Sequence, residues 1–337
     1  GWAGARRGCA AGPRRRTCWP FRPERGRAVS ARHEPVLLAE TLAWLRNGPG
    51  LYLDATLGDG GHAEALLDAE PGARLLGCDR DSAALERAGG RLRRFGTRVR
   101  LAHATFREVP AELTAAGGEG LVGALFDLGL SSGQIDDAAR GMSFTQDGPL
   151  DLRMDPTRGR TGAERLGQVE EDELGAVLRG HGDVAGARAL ARALVTEARQ
   201  GGLETTRALR ETIDRALGGR SHPRRYAQVF QALRIWVNGE ADDLEAALEW
   251  LPERVSPGGV VVTLAYHSGE DRRIKRALRG PAGSRFARRL PEIPGARPPE
   301  RPWEELTRRV VTPSPAERER NPRARSARLR AFRRIPA

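Results

Sequence analysis

The sequence predicts a doubly wound α/β fold, a parallel sheet covered by helices on both faces and interrupted by an inserted helical subdomain. Three observations predict it. Short apolar runs alternate with amphipathic helical stretches from Leu51 to Leu128, that rhythm stops at about Ser131, and it resumes near Tyr226. With 337 residues, 39 % of them hydrophobic, the chain is large enough to bury the core such a sheet requires.

Taken in order, Pro35 to Leu45 carries apolar residues at helical spacing and ends at the breaker run Asn47-Gly48-Pro49-Gly50, so it reads as a leading helix. Strands are expected at Leu51–Ala55, Arg74–Cys78, Val99–Ala102 and Leu121–Leu128, with helices near His62–Asp68 and Ser82–Phe95 between them. Helical patterns at Asp172–Leu178, Ala185–Gln200 and Thr205–Leu217 fill the interruption. From Tyr226 a helical pattern runs to Trp250, Pro257-Gly258-Gly259 turns into a strand at Val260–Ala265, and a helix follows at Glu270–Leu278. Pro281 to Pro302, rich in Pro, Gly and Arg, reads as a surface loop, and Thr307–Val311 and Ala327–Phe332 as the last two strands. The expected organisation is residues 32–134 with 226–337 as the sheet domain, 135–225 as the inserted substrate-binding subdomain, and 1–31 outside the fold.

A net charge of +12 points to a polyanionic partner. Nine of the arginines face the single acid Glu24 in the first 32 residues, so the rest of the chain is only mildly basic. Lys275 is the one lysine, a bias that composition attributes to GC-rich coding. Residues 1–31 read either as a mitochondrial transit peptide or, because no Met precedes Met142, as sequence ahead of a start at Val29. The expected compartment is the cytoplasm, or the mitochondrial matrix if the segment is a transit peptide. Cys9, Cys18 and Cys78 have neither metal-ligand nor disulfide-framework spacing, so no metal is expected. No apolar run approaches the roughly 20 residues of a membrane-spanning helix, so no membrane partner is expected.

The run Asp54-Ala55-Thr56-Leu57-Gly58-Asp59-Gly60-Gly61-His62 leaves the first strand and enters a helix, where doubly wound sheets bind nucleotides. It lacks the G-x-G-x-x-G of dinucleotide sites, which argues against a nicotinamide-dependent oxidoreductase. The second strand ends at Asp79, where a carboxylate can accept from both hydroxyls of a ribose; turn and acid together point to an adenosine-containing ligand. The segment Phe126-Asp127-Leu128-Gly129-Leu130-Ser131-Ser132-Gly133-Gln134-Ile135-Asp136 carries polar groups off the fourth strand, where substrate meets cofactor.

These stretches resemble the family of bacterial 16S ribosomal RNA cytidine N4-methyltransferases of the decoding region, which has mitochondrial relatives. The likeness continues through His33–Leu38, Cys78–Asp81, Arg140–Phe144, Asp147–Pro156, Phe230–Asn238, Tyr266–Arg272 and Asn321–Ser326. It implies a Rossmann-like class I S-adenosylmethionine methyltransferase fold, with S-adenosyl-L-methionine as cofactor and 16S rRNA of the small ribosomal subunit as partner. The implied cofactor contacts are Gly60, Gly61, His62, Asp79, Phe106, Asp127 and Gln134, with Phe106 packing on the adenine. Tyr266 and Gly269 stand where the family usually has Phe and Leu, and Gly133 where it has Pro.

Methyl transfer requires in-line alignment of the amine, and cytosine's amine lone pair is delocalised, so an acceptor on an amine proton would help. The expected acceptor is Asp127 or the adjacent Ser131 and Ser132; Asp151, Asp155 and His267 are further candidates. Each has a plainer reading: Asp151 or Asp155 pairs with Arg153 or Arg158, and His267 orients its loop through Ser268. Arg153, Arg158, Arg160, Arg224 and Arg225 are the expected phosphate contacts. The competing readings are a methyltransferase of another nucleic-acid amine and a non-catalytic ribosome-binding protein.

Overall fold

The computed structural model describes residues 35–219, 221–279 and 302–336. Residues 1–31, the His33-Glu34 pair and most of the expected loop at 281–302 lie outside the described residues. Strands β1 (Gly50–Asp54), β2 (Ala73–Asp79), β3 (Val99–His103), β4 (Leu121–Asp127), β5 (Val255–Ala265), β6 (Trp303–Glu305) and β7 (Arg328–Arg334) form one sheet. Their order is β3-β2-β1-β4-β5-β7-β6. The five strands β1 to β5 run parallel, while β7 is antiparallel to both its neighbours. The doubly wound sheet anticipated from the alternating pattern is present, in the Rossmann-like arrangement that the resemblance implied. Strand order reverses between β1 and β4, which opens a crevice at their carboxyl ends.

Both faces of the sheet are buried, so its strands are almost continuously apolar and split their side chains by period two. Leu53, Leu76, Ala124, Phe126 and Val261 share one cluster with Leu113, Leu244, Leu251 and Ile274. These last four come from α4 (Val109–Ala115), α11 (Glu240–Arg254) and α12 (Ser268–Arg279). Tyr52, Leu75, Leu125 and Val262 pack on the other face with Leu45, Leu66 and Leu92. Those belong to α1 (Leu38–Leu45), α2 (Gly61–Ala69) and α3 (Ser82–Leu92). A third cluster, from Met142 to Leu233, holds α6 (Gly162–Leu166), α7 (Glu171–Gly182), α8 (Ala187–Arg199), α9 (Thr206–Ala216) and α10 (Pro223–Asn238) together.

Two features differ from expectation. The helical pattern from Tyr226 to Trp250 is two helices, because Gly239 takes φ +61° as C-cap of α10 and N-cap of α11. Thus α10 crosses the expected boundary at 225/226 and puts Tyr226, Val229, Phe230 and Leu233 into the helical core. The penultimate strand is Trp303–Glu305, not Thr307–Val311. Its ladder stops there because the buried Thr307 hydroxyl takes the Ala331 N–H at 3.2 Å, and Val311 contributes only an isolated bridge to Leu329.

Candidate functional site

The carboxyl ends of β1, β2, β4 and β5 open on a cavity of about 400 Å³. Its floor is the glycine turn. Asp54, 3 % exposed, ends β1 and accepts the Thr56 N–H at 3.2 Å. The Thr56 hydroxyl in turn accepts the Asp127 N–H at 2.6 Å, tying this turn to the end of β4. Gly58 and Gly60 have φ +52° and +76°, and a Cβ on Gly61 would collide with the Pro35 ring, so the turn needs its glycines. Asp79, ending β2, accepts the Gly58 N–H at 2.7 Å and the Asp81 N–H at 2.8 Å. Burial, with the Asp127 and Asp79 charges adding to it, pushes the Asp54 carboxyl up to about 8; burial also raises that of Asp79.

Asp127 ends β4. Its Oδ1 accepts the Tyr266 hydroxyl at 2.8 Å, and its Oδ2 lies 3.8 Å from Nδ1 of His62. His62 Nε2 is 3.0 Å from the Val36 carbonyl, which can only accept, so Nε2 carries the proton and Nδ1 presents a lone pair. Burial depresses this imidazole to about 4, leaving it neutral at physiological pH.

Gln134 lines the cavity and also closes a capping box on α5 (Ser132–Asp136). Its Oε1 accepts the Ser131 N–H at 3.0 Å, the Ser131 hydroxyl accepts the Gln134 N–H at 3.2 Å, and Nε2 donates to Asp81 at 3.1 Å. Arg140 donates to both oxygens of the same Asp81, at 3.0 and 3.2 Å. This network holds the Ser131-Ser132 segment beside Asp127. Phe106 is half-buried on the cavity wall, its ring edge-on to Phe126 at 5.3 Å. Its backbone is pinned by α11, since Asp243 accepts the Phe106 N–H at 3.1 Å and the Trp250 indole donates to the Phe106 carbonyl at 3.0 Å.

The opposite wall comes from α7, α10 and the start of α12 through His181, Gln231, Arg234, His267, Glu270 and Arg273. Arg234 is locked by a bidentate pair with Glu240 at 2.8 and 2.9 Å. His267 Nε2 lies 3.0 Å from Glu270, and its Nδ1 accepts the Gly269 N–H, so both ring nitrogens are engaged. The ring nitrogens of His181 have no hydrogen-bond partner among the described residues, and burial followed by Arg273 and His267 lowers its pKa.

Of the residues singled out from sequence, Gly61, His62, Asp79, Phe106, Asp127, Ser131, Ser132, Gln134 and His267 line this cavity, and Gly60 caps α2 beneath it. Asp151 and Asp155 are not among its lining residues. Asp151 is held in a two-point pair with Arg153 at 2.6 and 2.9 Å. Asp155 pairs with His103 at 3.0 Å and Arg158 at 3.3 Å. Tyr266, Thr56, Asp243, His181 and Gln231 were not singled out. The one sequence signal for Asp243 was an acid on the apolar side of a helix; Tyr266 stood out only as a replacement for Phe.

The sequence profile of the MraW methylase family matches residues 30–335. Ribosomal RNA small subunit methyltransferase H of Sorangium cellulosum is 44 % identical over 320 residues, covering 93 % of this chain and 94 % of the relative. The protein of that name from Beutenbergia cavernae is 42 % identical, covering 91 % and 94 %. Among solved structures, an rRNA methylase from Streptococcus thermophilus superposes with a TM-score of 0.38 at 10 % identity, covering 89 % of this chain and 94 % of that one. With the profile spanning nearly all of the described fold and relatives this similar along their whole length, the chain belongs to the MraW methylase family.

Proposed function

We propose that the chain transfers a methyl group from S-adenosylmethionine to the N4 amine of a cytidine in the decoding region of small-subunit (16S) ribosomal RNA. The observation that carries the reading is the convergence of the glycine turn, Asp79 and Asp127 on one cavity in a chain of this methylase family.

The residues present fit the cofactor. Asp79 can accept from ribose hydroxyls, Phe106 offers a half-buried ring to the adenine, and the Gly60-Gly61 backbone has no side chain to hold off the methionine portion. His62 and Gln134 complete its surroundings. The Asp127 carboxylate, with Asp79 beside it, makes this end of the sheet suitable for a cation. When bound, S-adenosylmethionine supplies an electrophilic methyl carbon on a sulfonium.

The protein's task is then to align the amine and localise its lone pair. Asp127 Oδ2 accepts one amine proton as attack begins. The Ser131 and Ser132 hydroxyls lie on the same loop and help hold the amine. His267, with both nitrogens engaged, orients its loop. Asp151 and Asp155 shape the segment after Met142 rather than reach the substrate.

Residues 135–225 serve as the RNA-docking subdomain in this reading. Arg153 and Arg158 are occupied by carboxylates, whereas Arg160, Arg224 and Arg225 form no ion pair among the described residues, which leaves these three for phosphates. Relatives named for the ribosomal small subunit support the choice of RNA.

The test is transfer of labelled methyl to small subunits isolated from cells lacking the enzyme, followed by nucleoside analysis. Label in N4-methylcytidine at one decoding-region position is the expected result. Cofactor binding with label in another nucleic acid would retain the methylase and move the substrate. Ribosome binding without transfer would leave a non-catalytic protein.

A further inference from the structure

We propose that Tyr266 is a positioning residue for methyl transfer: its hydroxyl holds Oδ1 of Asp127, so that Oδ2 is the oxygen turned to the amine proton. The inference rests on the acceptor role given to Asp127 above.

Asp127 and Tyr266 stand just at the carboxyl ends of two paired parallel strands, β4 and β5, with Asp127 in register with Leu264. The backbone at Asp127 is fixed by its N–H bond to Thr56, but χ2 of an aspartate is a soft, roughly two-fold torsion. The 2.8 Å bond from Tyr266 restrains that torsion and so helps set the plane in which the carboxylate faces the cavity. Tyr266 is itself well held: its N–H donates to the buried Glu270 at 2.8 Å, and its ring runs beneath Gly129. Gly129 has φ +99°, a conformation that residues with a side chain rarely adopt, and a Cβ there would stand at ordinary van der Waals distance, 3.4 Å, from the ring. Burial, then the charge of Asp127, raises the phenol above its ordinary value, so it remains a donor throughout the physiological range.

The hydroxyl neither gains nor loses its proton in the reaction. Its contribution is geometric. Its removal should slow transfer without abolishing it.

The experiment measures methyl transfer to unmethylated small subunits for the full-length chain and for Tyr266→Phe, Asp127→Ala and the double variant, under single turnover so that slow enzymes remain measurable. Tyr266→Phe should lower the rate constant roughly tenfold, as for one lost hydrogen bond to a charged group. KM for RNA and affinity for S-adenosylhomocysteine should stay within about twofold, because only the acceptor's orientation changes. In the Asp127→Ala background, Tyr266→Phe should cause no further fall. An unchanged rate in Tyr266→Phe, an equal factor in both backgrounds, or an effect confined to KM or cofactor affinity overturns the positioning role. A wild-type rate in Asp127→Ala overturns the acceptor reading, and the role of Tyr266 with it, whereas wild-type protein that labels no RNA defeats the proposed function beforehand.

Discussion

The Gly58 N–H donates to Oδ2 of Asp79 over 2.7 Å, so the glycine turn after β1 and the acid at the end of β2 form one hydrogen-bonded unit. Oδ1 of the same carboxylate takes the Asp81 N–H, the residue that also caps α3. Asp79→Asn places an amide NH2 against one of these two N–H donors, whichever way it is turned. The expected result is a loss of S-adenosylhomocysteine affinity of at least about tenfold and of stability by roughly 1–3 kcal/mol, the cost of a buried donor left unpaired. Titration calorimetry and urea unfolding would measure both, and wild-type affinity in the variant would remove Asp79 from the ligand site.

Asp243, on the cavity wall, does comparable work for Phe106. Its carboxylate accepts from Arg80 at 2.7 Å and from the N–H groups of Phe106 and Arg107 at 3.1 and 3.0 Å. Asp243→Ala takes the carboxylate from a largely buried guanidinium, which keeps only its bonds to the Asn238 carbonyl and Met154, and takes the acceptor from two N–H donors, a loss of about 3–5 kcal/mol. Since the Phe106 backbone loses its anchor, cofactor affinity should fall along with the urea midpoint. Asp243→Asn, which keeps an acceptor, should recover part of the stability; if it is no better than Ala, the charge rather than the geometry matters.

These two acids mark how far the sequence could be read. Asp79 was legible because a strand end in a parallel sheet is a local pattern, and the turn from Asp54 to His62 was legible because glycines crowd where strand passes to helix. Most strands were placed for the same reason: both faces of the sheet are buried, so the strands are apolar without interruption. The Asp243 clamp and the Tyr266–Asp127 bond join residues 137 and 139 positions apart. Such partners become neighbours only once strand order is known, and no local spacing encodes it. The misplaced β6 has a different cause, since a side-chain hydroxyl of Thr307 replaced a backbone acceptor, an exchange that strand propensity does not register.

The pH dependence of stability should carry an unusual signature from Asp54. Its folded carboxyl is pushed up to about 8 from an ordinary value of 3.8, so its favourable contribution is complete below 3.8 and is lost as pH rises toward 8. His62 acts oppositely: with a folded value near 4 against 6.5, its contribution is complete above 6.5 and is lost as pH falls toward 4. The two slopes oppose each other at mildly acid pH, and Asp54 acts alone above 6.5. Asp54→Asn removes only the first. Its stability relative to wild type should therefore climb with pH, by at most about 1.4 kcal/mol per unit, up to roughly pH 8. Urea unfolding of both proteins at about pH 5, 6.5 and 8 tests this, and a constant difference would mean that Asp54 is ionised in the fold.

On the far wall, His181 and Gln231 separate substrate binding from cofactor binding. Gln231 donates its amide to the His181 carbonyl at 2.9 Å, which leaves its Oε1 and the His181 imidazole, both on residues that line the cavity, without hydrogen-bond partners among the described residues. A pyrimidine ring offers both donors and acceptors, so a neutral imidazole and a carboxamide oxygen can both be satisfied by it. Removing one such bond at a time by His181→Ala or Gln231→Ala should raise KM for the RNA by roughly fivefold, the equivalent of about 1 kcal/mol. Affinity for S-adenosylhomocysteine should not change, because the residues that would hold it stand at the carboxyl ends of β1 to β4 and in the segments that follow them. A matching loss of cofactor affinity in either variant would place that ligand across the whole cavity and leave the target base to enter elsewhere.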